Sequence, residues 1–236
     1  MIDLVILYFG SHTRPEVTAV IFIVMLLGMI YQALFNTRAV VKRKLNKAEQ
    51  TKIKNVRSGT VVKIIGEVAF LGKTVKAGLS ERECSYYHIE VEEYRKSGRY
   101  GSWLKVIDEK KRGDIILKDG NHYAVIQDDR AQTVLFRDIT YTSGTFDDPL
   151  PEMEGFLRKH KVDYENWIGM NKEMRFYEGA LEEGELCAVI GKGVWMSPSK
   201  LNLKLPVDKV LVIRGAPQVE TCISDDPEVI EKTTFL

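Results

Sequence analysis

Cysteine is scarce in this chain, and the few that occur form no recognisable pattern. Cys84, Cys187 and Cys222 are far apart in a sequence of 236 residues, and no C-x-x-C spacing is present. An odd number of isolated cysteines builds neither a disulfide framework nor a zinc finger. We therefore expect three buried thiols in a reducing compartment, where cysteine packs as a small apolar side chain.

The motifs of common catalytic sites are absent as well. The sequence has no phosphate-binding G-x-x-x-x-G-K, no G-x-S-x-G nucleophile elbow and no H-E-x-x-H zinc motif. Gly191-Lys192-Gly193 lacks the rest of a phosphate loop and is predicted to be a turn that ends a strand. The sequence thus predicts neither catalytic residues nor a cofactor.

Net positive charge is lacking beyond the first 47 residues. Residues 1–47 contain six Lys and Arg against Asp3 and Glu16, and since the whole chain has a formal net charge of +1, the remaining residues hold −3. Nucleic acids are bound through clustered cations that neutralise phosphates. A mildly acidic domain is a poor candidate for such contacts, and we expect no nucleic-acid partner.

Charge of either sign is absent from the 21 residues Val17–Thr37. About 20 apolar residues in a helix cross the hydrocarbon core of a bilayer, so this run predicts a transmembrane helix. A buried core helix would show a polar stripe, and a signal peptide would carry its positive charges before the apolar run. Neither pattern fits, and we predict an anchor that is retained in the lipid bilayer.

A cluster of basic residues, here called the collar, follows the apolar run at once. Its members are Arg38, Lys42, Arg43, Lys44 and Lys47. Excess Lys and Arg mark the cytoplasmic flank of a membrane span. The sequence therefore predicts a single-pass protein of the cell membrane, with residues 1–16 outside and the C-terminal part in the cytoplasm. We expect the collar to contact anionic lipid headgroups.

Strand patterns dominate beyond the collar. Tyr87–Glu93 alternates between apolar and polar side chains, which is the period of a half-buried strand. Asp119 and Gly120 lie in a predicted hairpin turn between two strands. After a break at Thr142–Pro151, the segment Glu152–His160 has the apolar spacing of a short amphipathic helix.

These patterns give a domain layout. We predict a mainly β domain over residues 58–223, a barrel or sandwich with a short helical insertion. Residues 38–57 form the collar and a linker to the transmembrane helix, and residues 224–236 form a C-terminal tail.

One predicted strand carries a spacing that would suit a metal ion. His88, Glu90 and Glu92 alternate along the chain, so their side chains project from one face of the strand. The same alternation produces ordinary solvated strand faces, where polar residues belong. A metal site is thus the alternative, and a solvated face is the simpler expectation.

Aromatic residues are concentrated in the same region, at Tyr86, Tyr87, Tyr94, Tyr100 and Trp103. A platform on which a ligand stacks is one interpretation. Core and cross-strand packing is the commoner use of aromatic residues in strands, and we expect it here.

Several short motifs follow one another in an order that resembles a known family. Their positions are Cys84, Tyr86, Tyr87, Trp103, Asp119, Gly120, Glu178, Leu181, Gly184 and Gly191. In this order they resemble the GIDE-type domain of membrane-anchored E3 ubiquitin ligases, over Ser58–Ile223. Glu185 stands where that family usually has Asp. The resemblance implies a β-rich cytoplasmic domain behind an N-terminal membrane helix.

The chain departs from this family in one important respect. The ligases end in a RING finger, which binds zinc through Cys and His ligands, whereas this chain has only three Cys and four His, all scattered. It cannot form that zinc site. The resemblance therefore implies a RING-less member, of the kind expected in bacteria or archaea.

Three functions follow from these observations. We expect a membrane-anchored interaction or scaffold domain with a protein partner that the sequence does not identify. A ubiquitin-ligase-like transferase is the alternative suggested by the family, and the absence of RING ligands disfavours it. A ligand-binding β-barrel that uses the Tyr86–Trp103 region is the third.

Overall fold

The computed structural model describes residues 15–144, 147–203, 205–217 and 219–231. The protein is mainly β, with 42 % strand and 24 % helix. Apart from Pro15 and Glu16, the predicted outer segment lies outside the described residues. Residues 232–236 of the predicted tail lie outside them too.

The elements are numbered in chain order. The helices are α1 (Pro15–Phe35), α2 (Thr37–Lys47), α3 (Pro151–Lys159) and α4 (Pro227–Ile230). The strands are β1 (Val61–Val68), β2 (Val75–Lys76), β3 (Glu83–Cys84), β4 (Tyr86–Ser97), β5 (Tyr100–Arg112), β6 (Ile116–Asp119), β7 (His122–Ile126), β8 (Gln132–Val134), β9 (Ile139–Ser143), β10 (Met174–Leu181), β11 (Leu186–Met196), β12 (Val210–Arg214) and β13 (Cys222–Ser224). Short 3-10 turns lie at Ile53–Asn55 and Pro198–Leu201.

The first helix, α1, is 21 residues long and exposes its apolar side chains. Eleven large apolar residues between Val17 and Phe35 are exposed to solvent. Over the described side chains, which in α1 omit those of Pro15, Gln32 and Ala33, no helix is long and apolar enough to cross a membrane.

A polar cap separates α1 from α2. The side-chain oxygen of Asn36 accepts a hydrogen bond of 2.7 Å from the N–H of Ala39, which satisfies a free donor at the start of α2. Val41 and Leu45 lie one turn apart on α2 and are fully buried. They pack with side chains of β8, β11, β13 and α4. The segment predicted as a collar and linker is therefore docked on the domain, because its apolar side chains have a surface to bury against.

Five strands close into a barrel in the order β1-β6-β7-β12-β11, and β11 pairs back with β1. The pairs are antiparallel except for β12 and β7, which are parallel. Counted along the chain, the barrel strands thus run first, second, third, fifth, fourth, which is the connectivity of an OB-type barrel. Buried apolar side chains that include Ile64, Leu117 and Leu211 fill the interior. The predicted mainly β domain is confirmed, and of the two expected forms, barrel or sandwich, it has a barrel.

The strand β11 joins several parts of this sheet. It pairs with β1 from Leu186 to Lys192 and with β12 from Lys192 to Met196. The first half of β11 also pairs with β13, and β13 in turn pairs with β8, which extends the sheet beyond the barrel. Gly191-Lys192-Gly193 lies within β11, so the predicted strand-ending turn is wrong. A β-carbon on Gly191 would lie 2.5 Å from Cγ2 of Ile213, and glycine is needed for this close approach.

A second sheet has the order β5-β4-β10-β9 and is antiparallel throughout. One face is covered by α3, where Phe156 and Leu157 pack among Tyr87, Ile89 and Phe176. The predicted helical insertion is confirmed as α3, which has Pro151 in its first turn. The opposite face is called the outer face below.

Two insertions into the barrel build this second sheet. Strands β2 to β5 lie between β1 and β6 in the chain, and β8 to β10 lie between β7 and β11. The insertions meet where β4 pairs with β10, from Tyr86 opposite Leu181 to Glu93 opposite Met174. Tyr86 and Leu181 belong to the barrel core, so this end of the sheet is fixed to the barrel.

Candidate interaction surface

The predicted metal spacing brings two of its three residues together and adds a third from another strand. His88 and Glu90 of β4 lie beside Asp108 of β5. Each offers one possible ligand atom, and these three atoms lie within 4.8 Å of one another. Glu92 is not in this group. The β4–β5 register shifts between Val91 and Glu92, and the neighbour of Glu92 on β5 is Lys105.

Cations already bind the carboxylates of this group. Lys105 Nζ donates a hydrogen bond to Glu90 and another of 3.2 Å to Asp108. Arg137 donates one of 2.8 Å to Glu90, and His88 Nε2 lies 2.8 Å from Asp108. A divalent ion at this position would have to displace Lys105. The arrangement is that of an ion-pair network on a solvated strand face.

The pKa shifts agree with this interpretation. Burial acts to raise the pKa of Glu90, but hydrogen bonds from Lys105 and Arg137 outweigh it and the pKa is lowered. Burial lowers the pKa of His88, although its hydrogen bond with Asp108 acts in the other direction. At neutral pH Glu90 is therefore ionised and His88 is uncharged.

The aromatic cluster divides into core and surface residues. Tyr86 is buried in the barrel core, and Tyr87 is buried beneath α3, where its hydroxyl donates a hydrogen bond to Glu109. These two tyrosines therefore pack the interior, as expected. Tyr94 and Trp103 face each other on the outer face, with ring centroids 5.2 Å apart.

Two stacks of arginine on an aromatic ring flank the ion-pair network on the outer face. The guanidinium carbon of Arg175 lies 3.7 Å from the ring centroid of Trp103, and that of Arg137 lies 3.7 Å from the centroid of Tyr177. Tryptophan, tyrosine and arginine are the residues that contribute most at protein interfaces. The outer face thus has the side chains of a protein-binding surface.

The motif residues of the GIDE-type resemblance lie mainly at the junction between the sheet and the barrel. Glu178 of β10 is fully buried, and its carboxylate accepts hydrogen bonds from the N–H groups of Leu79 at 2.8 Å and Ser80 at 3.3 Å. Arg82 lies 3.4 Å from both Glu178 and Asp138 and also binds Glu182. Glu178 therefore fastens the loop before β3 to β10.

Other motif residues also have roles in the fold. The carboxylate of Asp119 accepts a hydrogen bond of 3.2 Å from the N–H of Ile53. Gly120 and Gly184 have positive φ angles of 60° and 85°, which suit glycine in a turn. The N–H of Gly184 donates a hydrogen bond of 2.8 Å to the carbonyl of Val68.

All three cysteines are buried, as predicted. Burial raises the pKa of the Cys84 thiol to about 11 and that of Cys187 well above its usual value. Burial raises the pKa of Cys222 as well. These thiols stay protonated near neutral pH, which is unsuited to a nucleophile or a metal ligand.

Four of the five collar residues contact the protein itself. Arg38 donates a hydrogen bond of 2.7 Å to the carbonyl of Leu135, and Arg43 donates one to the carbonyl of Leu34. Lys42 lies 2.7 Å from the buried carboxylate of Asp226 and 3.2 Å from Glu228. Lys44 lies 2.9 Å from Glu220. The two lysines thus tie α2 to the C-terminal part of the domain, while Arg38 ties it to the segment after β8 and Arg43 to the end of α1.

An acidic cleft of about 380 Å³ lies beside α4. Its lining includes Phe136, Asp138, Glu185, Leu186 and Asp225. Burial raises the pKa of Asp225 to about 7, and the charges of Asp138 and Glu185 act in the same direction. Burial raises the pKa of Glu185 as well. The cleft can therefore take up a proton close to neutral pH.

Comparison with models of protein families, with curated proteins and with solved structures gave no match for this chain. The fold and its surfaces thus define the class of protein on their own. It is a mainly β domain with a five-stranded barrel and an inserted sheet, preceded by an exposed apolar helix.

Proposed function

We propose that this protein is a membrane-tethered interaction domain, held by α1 at the cytoplasmic face of the cell membrane. The observation that carries the proposal is the exposure of apolar side chains around α1, including Leu26, Leu27 and Ile30. Moving such side chains out of water is favourable by about 2 kcal/mol each. The absence of charge from Val17–Thr37 and the basic collar behind it also support an anchor in this orientation.

The connection between the proposed anchor and the domain is short and ordered. Only Asn36 separates α1 from α2, and α2 is packed on the barrel through Val41 and Leu45. A domain joined in this way stays close to the end of α1. Such a tether suits a protein that presents one surface to a partner beside the bilayer. Contact of the collar with anionic headgroups stays part of this proposal.

We further propose that the domain is a RING-less GIDE-type domain that acts by binding a protein partner. The clustering of motif residues such as Glu178, Cys84 and Tyr86 at the sheet–barrel junction supports the resemblance, since shared fold-determining positions are expected within a family. The outer face, with its stacks at Trp103 and Tyr177, is the proposed partner surface.

Alkaline extraction of membranes tests the tether. We expect the full chain to stay with the membrane, and Leu26→Lys combined with Leu27→Lys to release it, because a lysine at the centre of a span costs about 3 kcal/mol. The matched variant Leu26→Ile with Leu27→Ile should stay bound. Release of the unmodified chain would overturn the proposal. Cleavage of the domain by a protease on the cytoplasmic side alone would support the orientation.

Photo-crosslinking in native membranes tests the partner surface. A crosslinking side chain at Thr140, which is exposed on the outer face, should give a defined protein adduct. The same side chain at Lys200, which is exposed on the barrel, serves as the control. Equal labelling from both positions would count against the outer face as the interface.

A further inference from the structure

The end of the second sheet farthest from the barrel carries two protrusions. The first is the hairpin Tyr94–Trp103, called the distal hairpin, formed by β4 and β5 beyond the last β4–β10 pair at Glu93. The second, called the Trp167 loop, is residues 161–173 between α3 and β10. Glu93 links the two protrusions, since its carboxylate lies 3.1 Å from Arg95 and 3.9 Å from Lys172.

The Trp167 loop presents apolar side chains at its tip. Trp167 is 95 % exposed, Ile168 is 53 % exposed and Met170 is 45 % exposed. Soluble surfaces rarely group large apolar side chains in this way unless they bind something. Leu104, which lies opposite Glu93 in the hairpin register, adds a fourth side chain that is 44 % exposed.

The backbone of this tip is hydrogen-bonded internally. The side-chain oxygen of Asn166 accepts hydrogen bonds from the N–H groups of Ile168 and Met170, both at 3.0 Å. The carbonyl of Asn166 accepts one of 3.0 Å from Gly169, and its N–H donates one of 2.8 Å to the carbonyl of Met170. An unpaired N–H is costly in an apolar medium. Four of the backbone N–H groups of this tip therefore keep their hydrogen bonds when the tip leaves water.

The distal hairpin carries cations at the same end of the sheet as the apolar tip. Arg95, Lys96 and Arg99 are exposed at its turn, and no acidic residue occurs between Glu93 and Asp108. Within the distal hairpin, Tyr94 packs on Trp103, and Arg175 stacks on the ring of Trp103. The cations thus stand on an ordered hairpin whose base is joined to the base of the Trp167 loop by the hydrogen bond from Tyr94 N–H to the carbonyl of Glu173. The Trp167 loop itself carries Asp163, Glu165 and Glu173 against Lys161 and Lys172, so the positive charge of this end of the sheet is that of the hairpin turn.

We propose that these two protrusions form a docking surface for an anionic lipid bilayer. Arg95, Lys96 and Arg99 would bind the phosphate groups of the lipids, and the tip at Trp167 would insert at the level of the headgroups, where tryptophan is favoured. This inference rests on the proposed tether, since α1 keeps the domain at a membrane, and the docked bilayer is either that membrane or one that lies opposite it. Isoleucine and methionine at the tip fit lipid better than nucleic acid, which is bound through phosphate contacts and base stacking.

Fluorescence of Trp167 tests the proposal directly. The full chain with Trp103→Phe and Trp195→Phe retains Trp167 as its only tryptophan. It is reconstituted into vesicles that contain anionic lipid, and brominated lipid is placed either in these vesicles or in a second population added later. We expect a blue shift of Trp167 emission and quenching by brominated lipid in one of these two arrangements. Neutral lipid, or about 1 M salt with its Debye length of about 3 Å, should reverse both.

Charge variants supply the matched control. Arg95→Gln, Lys96→Gln and Arg99→Gln together should weaken docking about a hundredfold, since each cation contributes about fivefold at an anionic surface. Lys192→Gln, Lys200→Gln and Lys209→Gln remove the same charge from exposed barrel positions and should leave quenching unchanged. If the tryptophan variants fail to fold, an environment-sensitive dye on Met170→Cys gives the same measurement, because the native cysteines are buried.

Three outcomes would overturn the inference. The first is no quenching of Trp167 by brominated lipid in either arrangement. The second is quenching of the same size in anionic and in neutral vesicles. The third is a blue shift that depends on protein concentration but not on brominated lipid, which would indicate protein contact at the tip. Alkaline extraction of the same vesicles separates the two proposals. A retained chain with unquenched Trp167 overturns the docking surface alone, and a released chain overturns the tether.

Discussion

Asp225 shows how burial changes the chemistry of a single carboxyl group. Its carboxylate accepts a hydrogen bond of 2.6 Å from the N–H of Phe136, yet burial raises its pKa to about 7. An unfolded aspartate has a pKa of about 3.9. Between these two values the folded chain holds a proton that the unfolded chain has released. The contribution of Asp225 to stability is therefore greatest below about pH 4 and declines as the pH rises to about 7.

Asp225→Asn should remove this pH dependence. We expect the variant and the unmodified protein to be equally stable near pH 4. The variant should then gain an advantage that reaches about 1–2 kcal/mol above pH 7, after allowance for solvent screening. Denaturant unfolding from pH 4 to pH 9 measures the difference. Asp208→Asn, at an exposed position, is the control. A constant difference across the pH range would contradict the raised pKa.

At the scale of elements, α2 turns a basic stretch of sequence into part of the fold. Its two buried side chains, Val41 and Leu45, meet Val134, Cys222 and Val229. Lys42 reaches the buried Asp226, whose carboxylate also accepts a hydrogen bond of 3.1 Å from Glu228 N–H at the start of α4. The charged helix α2 is thereby held on the domain by two buried apolar side chains and by the ion pairs of its lysines.

Leu45→Ala should detach α2 from the barrel. We expect a loss of about 3 kcal/mol in the free energy of unfolding, the usual cost of removing a buried leucine side chain. Residues 38–57 should exchange their amide hydrogens faster than the barrel strands do. Lys47→Ala changes an exposed position on the same helix and should stay within about 0.5 kcal/mol of the unmodified protein. Unchanged exchange in Leu45→Ala would show that α2 is held by its ion pairs alone.

Elements with local causes could be predicted from the sequence, and those with distant causes could not. The alternation of Tyr87–Glu93 and the spacing of Met153, Phe156 and Leu157 predicted β4 and α3 because the pattern lies within each element. The apolar pair Val41 and Leu45 was hidden among cations, since its burial depends on strands near the other end of the chain.

The candidate site follows the same rule. His88 and Glu90 lie on one strand, so their shared face could be predicted from spacing. Asp108 joins them only through the β4–β5 register, which includes a shift at Val91 that no sequence signal marked. The stacks of Arg175 on Trp103 and of Arg137 on Tyr177 join residues distant in sequence, so no local pattern predicts them.

At the scale of the whole molecule, two apolar cores share one junction. The barrel core and the core beneath α3 are separate clusters, and β4 and β10 run from one to the other. Glu178 and Arg82 hold the loop that closes this junction. We infer that the two cores depend on each other for stability, since the four-stranded sheet exists only where β4 of one inserted segment pairs with β10 of the other.

The two cores should therefore unfold together. Trp103 reports on the sheet, and Trp195, whose indole donates a hydrogen bond of 2.8 Å to the carbonyl of Val56, reports on the barrel. Single-tryptophan variants should give coincident denaturation midpoints, as expected for a cooperative unit. Glu178→Ala should cost about 3 kcal/mol and separate the midpoints, because it leaves the N–H groups of Leu79 and Ser80 without their acceptor and removes one of three carboxylates around Arg82. Separate midpoints in single-tryptophan variants that retain Glu178 would contradict this dependence of one core on the other.

The ion pairs of the collar have a consequence for how the chain is made. Lys42 binds Glu228, which lies 186 residues later, and Lys44 binds Glu220, which lies 176 residues later. In a chain anchored by α1, the collar leaves the ribosome long before these acids are synthesised. During that interval its charges are available to set the orientation of the nascent helix in the membrane. Once the C-terminal residues emerge, Lys42 and Lys44 form their ion pairs, so in a chain anchored as proposed these two charges would act on the orientation only during synthesis.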